Sequence, residues 1–201
     1  MSGKRQAIKR NNKESIVKAA MKLFSNKGFE KTRIKDIAQQ ANVATGTFYN
    51  YFPKKEDVIL YFIDNQIEKA GKEVDEYDFL EHTAIERIEK IIASYLKATF
   101  QNKAFAKVVA QERIGKVGKK SNINEFNMIR RFFKVIEMGK KKNEINKNAD
   151  AQYIANLIFS VYTTHVITWI NGIIKNRNEC IKSINHIIKL IFDDLRGNMD
   201  G

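Results

Sequence analysis

The side chains best suited to chemistry lie in residues 44–57, ATGTFYNYFPKKED. Thr45, Thr47, Tyr49 and Asn50 offer hydroxyls and an amide, Gly46 lets a backbone approach closely, and Lys54 and Lys55 follow Pro53, the chain's single proline. Neutral donors and acceptors beside small residues and cations suit hydrogen bonds to base edges and phosphates, not bond making. On a helix advancing about 100° per residue, Phe48 and Phe52 share one face and Gly46 and Asn50 lie opposite. Thr47 and Tyr49 flank that outer side, and Tyr51 falls near the core edge. Two rings are therefore expected in the core, with Tyr49 outside. Lys54 and Lys55 fall at the start of a further helix, where the dipole disfavours cations, and a bound polyanion would explain them.

Catalytic chemistry finds no support. His82, His165 and His186 are far apart, and none stands at metal-ligand spacing from Cys180. There is no glycine-rich phosphate loop and no nucleophile motif, so no enzyme activity, cofactor or metal is expected. Cys180 is the single cysteine, which excludes an intrachain disulfide and suggests a buried, inert thiol in a reducing cytoplasm. The charge supports a polyanionic partner. The net charge is +13, and residues 1–55 hold 13 Lys/Arg against 3 Asp/Glu. Compositional drift would have spread that surplus evenly along the chain.

The elements that must position these groups read as all α-helical, about nine helices without a convincing strand. Ile16, Ala20, Leu23 and Phe24 form one face of a helix over 13–27, and Gly28 is its expected C-terminal cap. The residues before it, MSGKRQAIKRNNKES, read as a mobile basic arm without the apolar run of a secretory signal. Thr32 is placed to cap a short second helix carrying Ile34, Ile37, Ala38 and Ala41, and a tight ANV break precedes the helix at 45–52. The next helix restarts at Pro53 and runs to about Ala70, followed by the acidic connection AGKEVDEYD. Further helices are expected over 80–101, 103–114, 123–139, 151–174 and about 179–196, with loops at 115–122 and 140–150. Three short helices, the last two joined by a tight turn, match a helix-turn-helix, whose second helix enters the major groove.

Residues 13–60 resemble the DNA-binding domain of the tetracycline-repressor (TetR) family of bacterial transcription regulators. The likeness lies in IVKAAMKLFSNKGFEKTRIKDIAQQANVATGTFYNYFPKKEDVIL. The resemblance implies a helix-turn-helix domain over 1–55 and a helical ligand-binding and dimerisation domain over 56–201. It implies that Thr32 meets phosphate at the start of the second helix, and Arg33 beside it is a further candidate DNA contact. Thr45, Gly46, Thr47, Tyr49 and Asn50 would lie on the recognition helix, with Tyr51, Lys54 and Lys55 on the DNA backbone. Asn42 stands where glycine is common, but asparagine tolerates the left-handed backbone. Ala44 replaces a frequent capping serine, and Thr45 is expected to take over as cap. The resemblance also implies a cytoplasmic homodimer paired through its last two helices, binding a palindromic operator in double-stranded DNA and released by a small-molecule effector.

Residues 151–174 carry no formal charge and are long enough to span a bilayer, yet Gln152, Asn156, Ser160, Thr164 and Thr168 punctuate them. A helix buried against protein on most faces, with a neutral polar stripe toward a partner helix or cavity, fits better. The last helix offers a continuous face of Ile184, Ile187, Ile188, Ile191 and Leu195 that should not stay exposed. Phe62, Tyr95, Phe100, Phe105, Phe126, Phe133, Tyr162, His165 and Trp169 are the candidate pocket residues. The rival readings are an architectural DNA-binding protein without an effector and a basic protein docking on anionic membrane.

Overall fold

A computed structural model describes residues 2–75, 81–114 and 123–197. Its described elements are nine helices: α1 (Ser2–Lys27), α2 (Ile34–Gln40), α3 (Thr45–Tyr51), α4 (Lys55–Asp75), α5 (Ala84–Thr99), α6 (Lys103–Ile114), α7 (Ile123–Lys141), α8 (Ala151–Ile170) and α9 (Arg177–Gly197). The expected loop at 115–122 lies outside the described residues. The chain divides into two compact units, Met1–Ile63 and Asp64–Gly201, so the division falls inside α4.

In the first unit α1 packs on α2 and α2 on α3. Ile16, Ala20 and Phe24, four residues apart on α1, are buried with Ile37, Ala38, Phe48, Phe52, Val58 and Ile59. Each buried Ile, Val or Phe among them contributes about 1.5–3 kcal/mol. Gly28 ends α1 with φ +83°, its N–H donating to the Phe24 carbonyl at 3.0 Å, the left-handed cap its position suggested. Asn42 adopts φ +55°. Its N–H donates to the Gln39 carbonyl and that of Val43 to the Ala38 carbonyl, closing a Schellman motif between α2 and α3. The tight turn therefore persists without glycine. The N-terminal basic segment differs from expectation: residues 2–12 form the first turns of α1 rather than an irregular arm. Asn, Lys and Arg carry no helix-breaking geometry, and neither Gly nor Pro interrupts residues 4–27.

In the second unit α5 packs on α7 and α9, and α8 packs on α7, α9 and α6. α5 is the central helix, burying Ile88, Ile91, Ile92, Tyr95 and Leu96. Thr83 and Glu86 start it with a reciprocal capping box, which holds the Glu86 carboxyl below its ordinary range through hydrogen bonds from Thr83. The Asp150 carboxylate starts α8 by accepting from the Gln152 and Tyr153 N–H groups at 2.9 and 3.0 Å. Gly139 permits a close crossing of α7, because a Cβ there would lie 2.9 Å from that of Ala84.

Two expectations change here, and one is met. α4 does not stop near Ala70 but continues to Asp75, with Gly71, read as part of a connection, inside the helix. α8 is long and apolar enough to cross a membrane, yet it packs on three helices, and it is not buried on most faces within the protomer. Ala151, Ile154, Ala155, Ile158, Tyr162 and Trp169 face inward, whereas Gln152, Tyr153, Asn156, Leu157, Ser160 and Thr164 face out. The apolar face of α9 is mostly spent inside the protomer, with Cys180, Ile184, Ile188 and Phe192 buried at four-residue spacing.

Candidate functional site

The candidate nucleic-acid interface is built on α3. Phe48 is fully buried and Phe52, at the helix end, nearly so, with their ring centroids 5.9 Å apart. These rings fix the rotation of α3 and turn Thr45, Gly46, Tyr49 and Asn50 outward. Tyr49 retains 51% of its surface exposed, with its ring packed edge-on to Phe48 at 5.8 Å. Thr47 and Tyr51 are half-buried at the flanks. The outer face thus offers hydroxyls and one amide without a fixed charge.

The start of α3 departs from the sequence reading. Ala44, not Thr45, is the cap residue, with φ −66° and ψ 149°, and no side chain caps the helix. Thr45 is already the first helical residue, so its hydroxyl stands on the outer face. Thr32 is not a cap either. It is buried, its hydroxyl donates to the Gly28 carbonyl at 2.7 Å, and α2 begins after Arg33. That inward bond closes the loop after α1 and leaves Arg33, which is exposed, as the member of the pair facing solvent. The Arg33 N–H donates to the Asp36 carboxylate at 3.3 Å. Lys27 also pairs with that carboxylate and holds its pKa below the ordinary range.

The two lysines after Pro53 differ in their placement. The Lys54 N–H donates to the Asp57 carboxylate at 3.1 Å, and Glu56 and Asp57 occupy the first turn of α4, which favours the helix dipole. A polyanion is therefore not needed to offset these cations. The Lys55 ammonium turns inward, donating to the carbonyls of Phe29, Glu30 and Thr32 at 2.9, 3.4 and 3.3 Å, and lies 4.2 Å from the Phe29 ring centroid. It ties the start of α4 to the loop between α1 and α2. Lys13 makes a second such tie, 3.8 Å above the Tyr61 ring.

The aromatic candidates of the larger domain differ in their placement. Phe62 belongs to the first unit, and the Phe126 side chain lies outside the described residues. Phe100 stacks on Trp169 with ring centroids 3.8 Å apart, and Phe105 is buried while Phe133 is half-buried. His165 bridges α8 to α9 rather than facing the interior of α5. Its Nδ1–H donates to the Val161 carbonyl at 2.7 Å, a bond that leaves Nε2 to accept from the Ser183 hydroxyl at 2.9 Å.

Tyr95 and Tyr162, by contrast, join an internal polar chain. The Thr99 hydroxyl donates to the Tyr95 carbonyl at 2.9 Å and accepts from the Tyr162 hydroxyl at 2.8 Å. The Arg131 guanidinium donates to the Tyr95 hydroxyl at 3.0 Å. Thr99, Arg131 and the fully buried Arg87 were not among the residues expected at the site. An arginine at an inward helical position among Ile88, Ile91 and Ile92 was the available signal. Among the described residues, no cluster of His, Cys, Asp and Glu could hold a metal ion. Burial pushes the Cys180 thiol up to about 11, as expected of an inert residue.

A tight turn feeding a short helix with a buried aromatic face and an exposed hydroxyl-bearing one, in a basic unit, defines a helix-turn-helix protein that reads DNA. Residues 16–62 match the family of bacterial regulatory proteins, tetR family. The matched residues give this transcriptional regulator a DNA-binding segment of the tetR type. The chain is similar to the fatty acid metabolism regulator protein of Bacillus subtilis, with 25% identity over 181 residues covering 88% of this chain and 91% of that one. Two solved structures share its fold. The transcriptional regulator FadR from Bacillus subtilis in complex with stearoyl-CoA has a TM-score of 0.68 and 21% identity, covering 89% of this chain and 97% of that one. FadR of Thermus thermophilus, in complex with lauroyl-CoA, has a TM-score of 0.70 and 19% identity, covering 88% and 92%.

Proposed function

We propose that this chain is a cytoplasmic, homodimeric repressor that binds a palindromic operator and leaves it when a fatty-acyl thioester enters the second domain. One observation carries the DNA-reading part: Tyr49, Thr45, Gly46 and Asn50 stand together on the outward face of α3, whose other face is sealed by Phe48 and Phe52. Thr45, Thr47 and Asn50 read base edges from the major groove, Gly46 allows close approach, and Tyr49, Tyr51, Arg33 and Lys54 hold phosphates. Lys55 and Thr32 act from behind by shaping the loop that presents Arg33. Residues 1–55 form the DNA-binding domain and 56–201 the effector and dimerisation domain.

The outer surface of α8 and α9 supports the dimer. Tyr153 is 68% exposed and Leu190 57%, and Leu157 and Ile167 are also open. On α8 these alternate with the small polar Ser160 and Thr164 at three- and four-residue spacing, a seam into which a second copy can pack. A two-fold dimer that reads a palindrome needs its two α3 helices roughly 34–36 Å apart, one turn of duplex. The acyl-thioester assignment rests on the likeness to the fatty acid metabolism regulator over most of both chains. Sequencing duplexes retained from a random pool by the pure protein tests the reading. A palindromic consensus released by stearoyl-CoA is expected. Retention without sequence preference, falling with salt as random DNA does, would instead mark an architectural DNA-binding protein.

A further inference from the structure

We propose that the outward face of α7 is a docking surface for an acidic helix of a partner protein, a surface independent of the DNA-reading face of α3. The charge of the larger domain is concentrated there. Residues 127–148 hold 7 Lys/Arg against 2 Asp/Glu, whereas the rest of residues 56–201 hold 16 against 18. The basic surplus of that half of the chain is the surplus of α7 and the loop after it.

Helical register gathers these cations into a row. Met128, Phe132, Val135 and Ile136 bury one side of α7, which packs on α5 and α8. At about 100° per residue, Arg130, Lys134, Glu137 and Lys141 fall within about 60° of one another on the opposite side, over about 16 Å of helix. Arg130, Lys134 and Lys141 are exposed. The one carboxylate in the row is engaged, with Glu137 paired to Lys140 at 3.1 Å. Arg130 donates to the neutral amide of Asn127 at 2.6 Å. Among the described residues no carboxylate stands in ion-pair range of Arg130, Lys134 or Lys141. Elsewhere exposed cations do meet acids, as Arg10 meets Glu14 and Lys27 meets Asp36. Like charges at i and i+4 destabilise a helix, so Arg130 and Lys134 weaken α7 until an anion lies across them.

The form of the row selects the partner. A bilayer or a duplex presents a continuous anionic field, which favours a broad basic surface and disfavours a carboxylate within it. α7 offers a single row, interrupted by Glu137, with a half-buried apolar shoulder of Ile129 and Phe133 along one side. A half-buried shoulder can be covered by side chains but cannot be inserted into lipid. A second helix laid along α7 has the matching periodicity. Its carboxylates at i, i+4 and i+11 would meet Arg130, Lys134 and Lys141, a neutral residue would face Glu137, and apolar residues beside them would cover Phe133 and Ile129. α8 and α9, read above as the dimer seam, contribute nothing to this row.

The test uses the full-length protein and two capped, labelled helical peptides of about 18 residues, one for each chain direction, with glutamates at that spacing and leucines beside them. Binding is read by fluorescence anisotropy in about 0.1 M salt, where the screening length is about 10 Å. Arg130→Glu/Lys134→Glu/Lys141→Glu is compared with Lys97→Glu/Lys103→Glu/Lys107→Glu, which makes the same change of net charge at exposed positions of α5 and α6. One peptide should bind wild type. The α7 variant should bind it at least tenfold more weakly, and the α5/α6 variant within twofold of wild type. Arg130→Gln/Lys134→Gln/Lys141→Gln, which adds no like charge to α7, should bind at least fivefold more weakly and melt no lower than wild type. A peptide with glutamine for glutamate should not bind. Equal losses in the α7 and α5/α6 variants would reduce the effect to net charge and overturn the proposal. Failure of both peptides to bind wild type would also overturn it. So would α7 variants that keep their peptide affinity, and selective loss of their binding to phosphatidylglycerol vesicles or to random duplex would then mark the row as a membrane or nucleic-acid surface.

Discussion

Replacing Lys55 by methionine separates a lysine that holds DNA from one that holds the protein. Methionine keeps most of the aliphatic stem and removes the ammonium. The lost contacts are one well-formed bond to the Phe29 carbonyl at 2.9 Å, two longer ones to Glu30 and Thr32, and the ring contact with Phe29. A hydrogen bond from a charged group contributes about 1.5–3 kcal/mol net. A cation over a ring at an exposed site adds about 0.5–1 kcal/mol. Because Lys55 is half-exposed and the two longer bonds are weak, a total near 2 kcal/mol is expected. For a unit of this size that lowers the midpoint of unfolding by about 8–16 °C. Trp169 reports on the second unit, so the measurement should be hydrogen exchange of the amides of residues 28–33, whose protection should fall about 30-fold for 2 kcal/mol. The slope of log affinity for DNA against log salt should stay at the wild-type value. A phosphate-binding lysine would instead reduce it by about 0.9 per protomer. Unchanged exchange at 28–33 together with that smaller slope would refute the inward assignment.

Tyr49→Phe should weaken selected and random duplexes alike by about 1 kcal/mol, because one phosphate contact is lost while the exposed ring stays in place; anisotropy on both duplexes checks this. Asn50→Ala should shift the preferred bases in a repeated selection, and an unchanged consensus would remove that amide from base reading. Ala44→Ser should raise thermal stability by about 1 kcal/mol, since α3 has no side-chain cap, as read from its melting curve. The Cys180 thiol, with its pKa pushed up to about 11, should resist iodoacetamide at pH 8 and react only after unfolding. The raised folded value means that its contribution to stability is complete below the unfolded thiol pKa, near 8.5, and is lost as pH rises toward 11.

Local periodicity and special backbone geometry were legible in the residues themselves. Ile16, Ala20 and Phe24 could pack only as a helix face, Gly28 could end that helix in a left-handed turn, and Asn42 could do so again without glycine. The spacing of Phe48 and Phe52 settled which side of α3 turns outward, because a helix repeats every 3.6 residues whatever surrounds it. The destinations of long polar side chains were another matter. Lys55 reaches a loop 26 residues earlier in the chain, Arg131 a phenol 36 residues away, and His165 a hydroxyl 18 residues on. Gly71 read as part of a connection because the guanidinium that requires its missing Cβ is contributed by a different helix. The apolar faces of α8 and α9 were visible as patterns, but only packing against α5 and α7 decided which residues were covered within one protomer. A side chain's type limits what it can bond, whereas its partner is chosen by segments that meet only after the chain has folded.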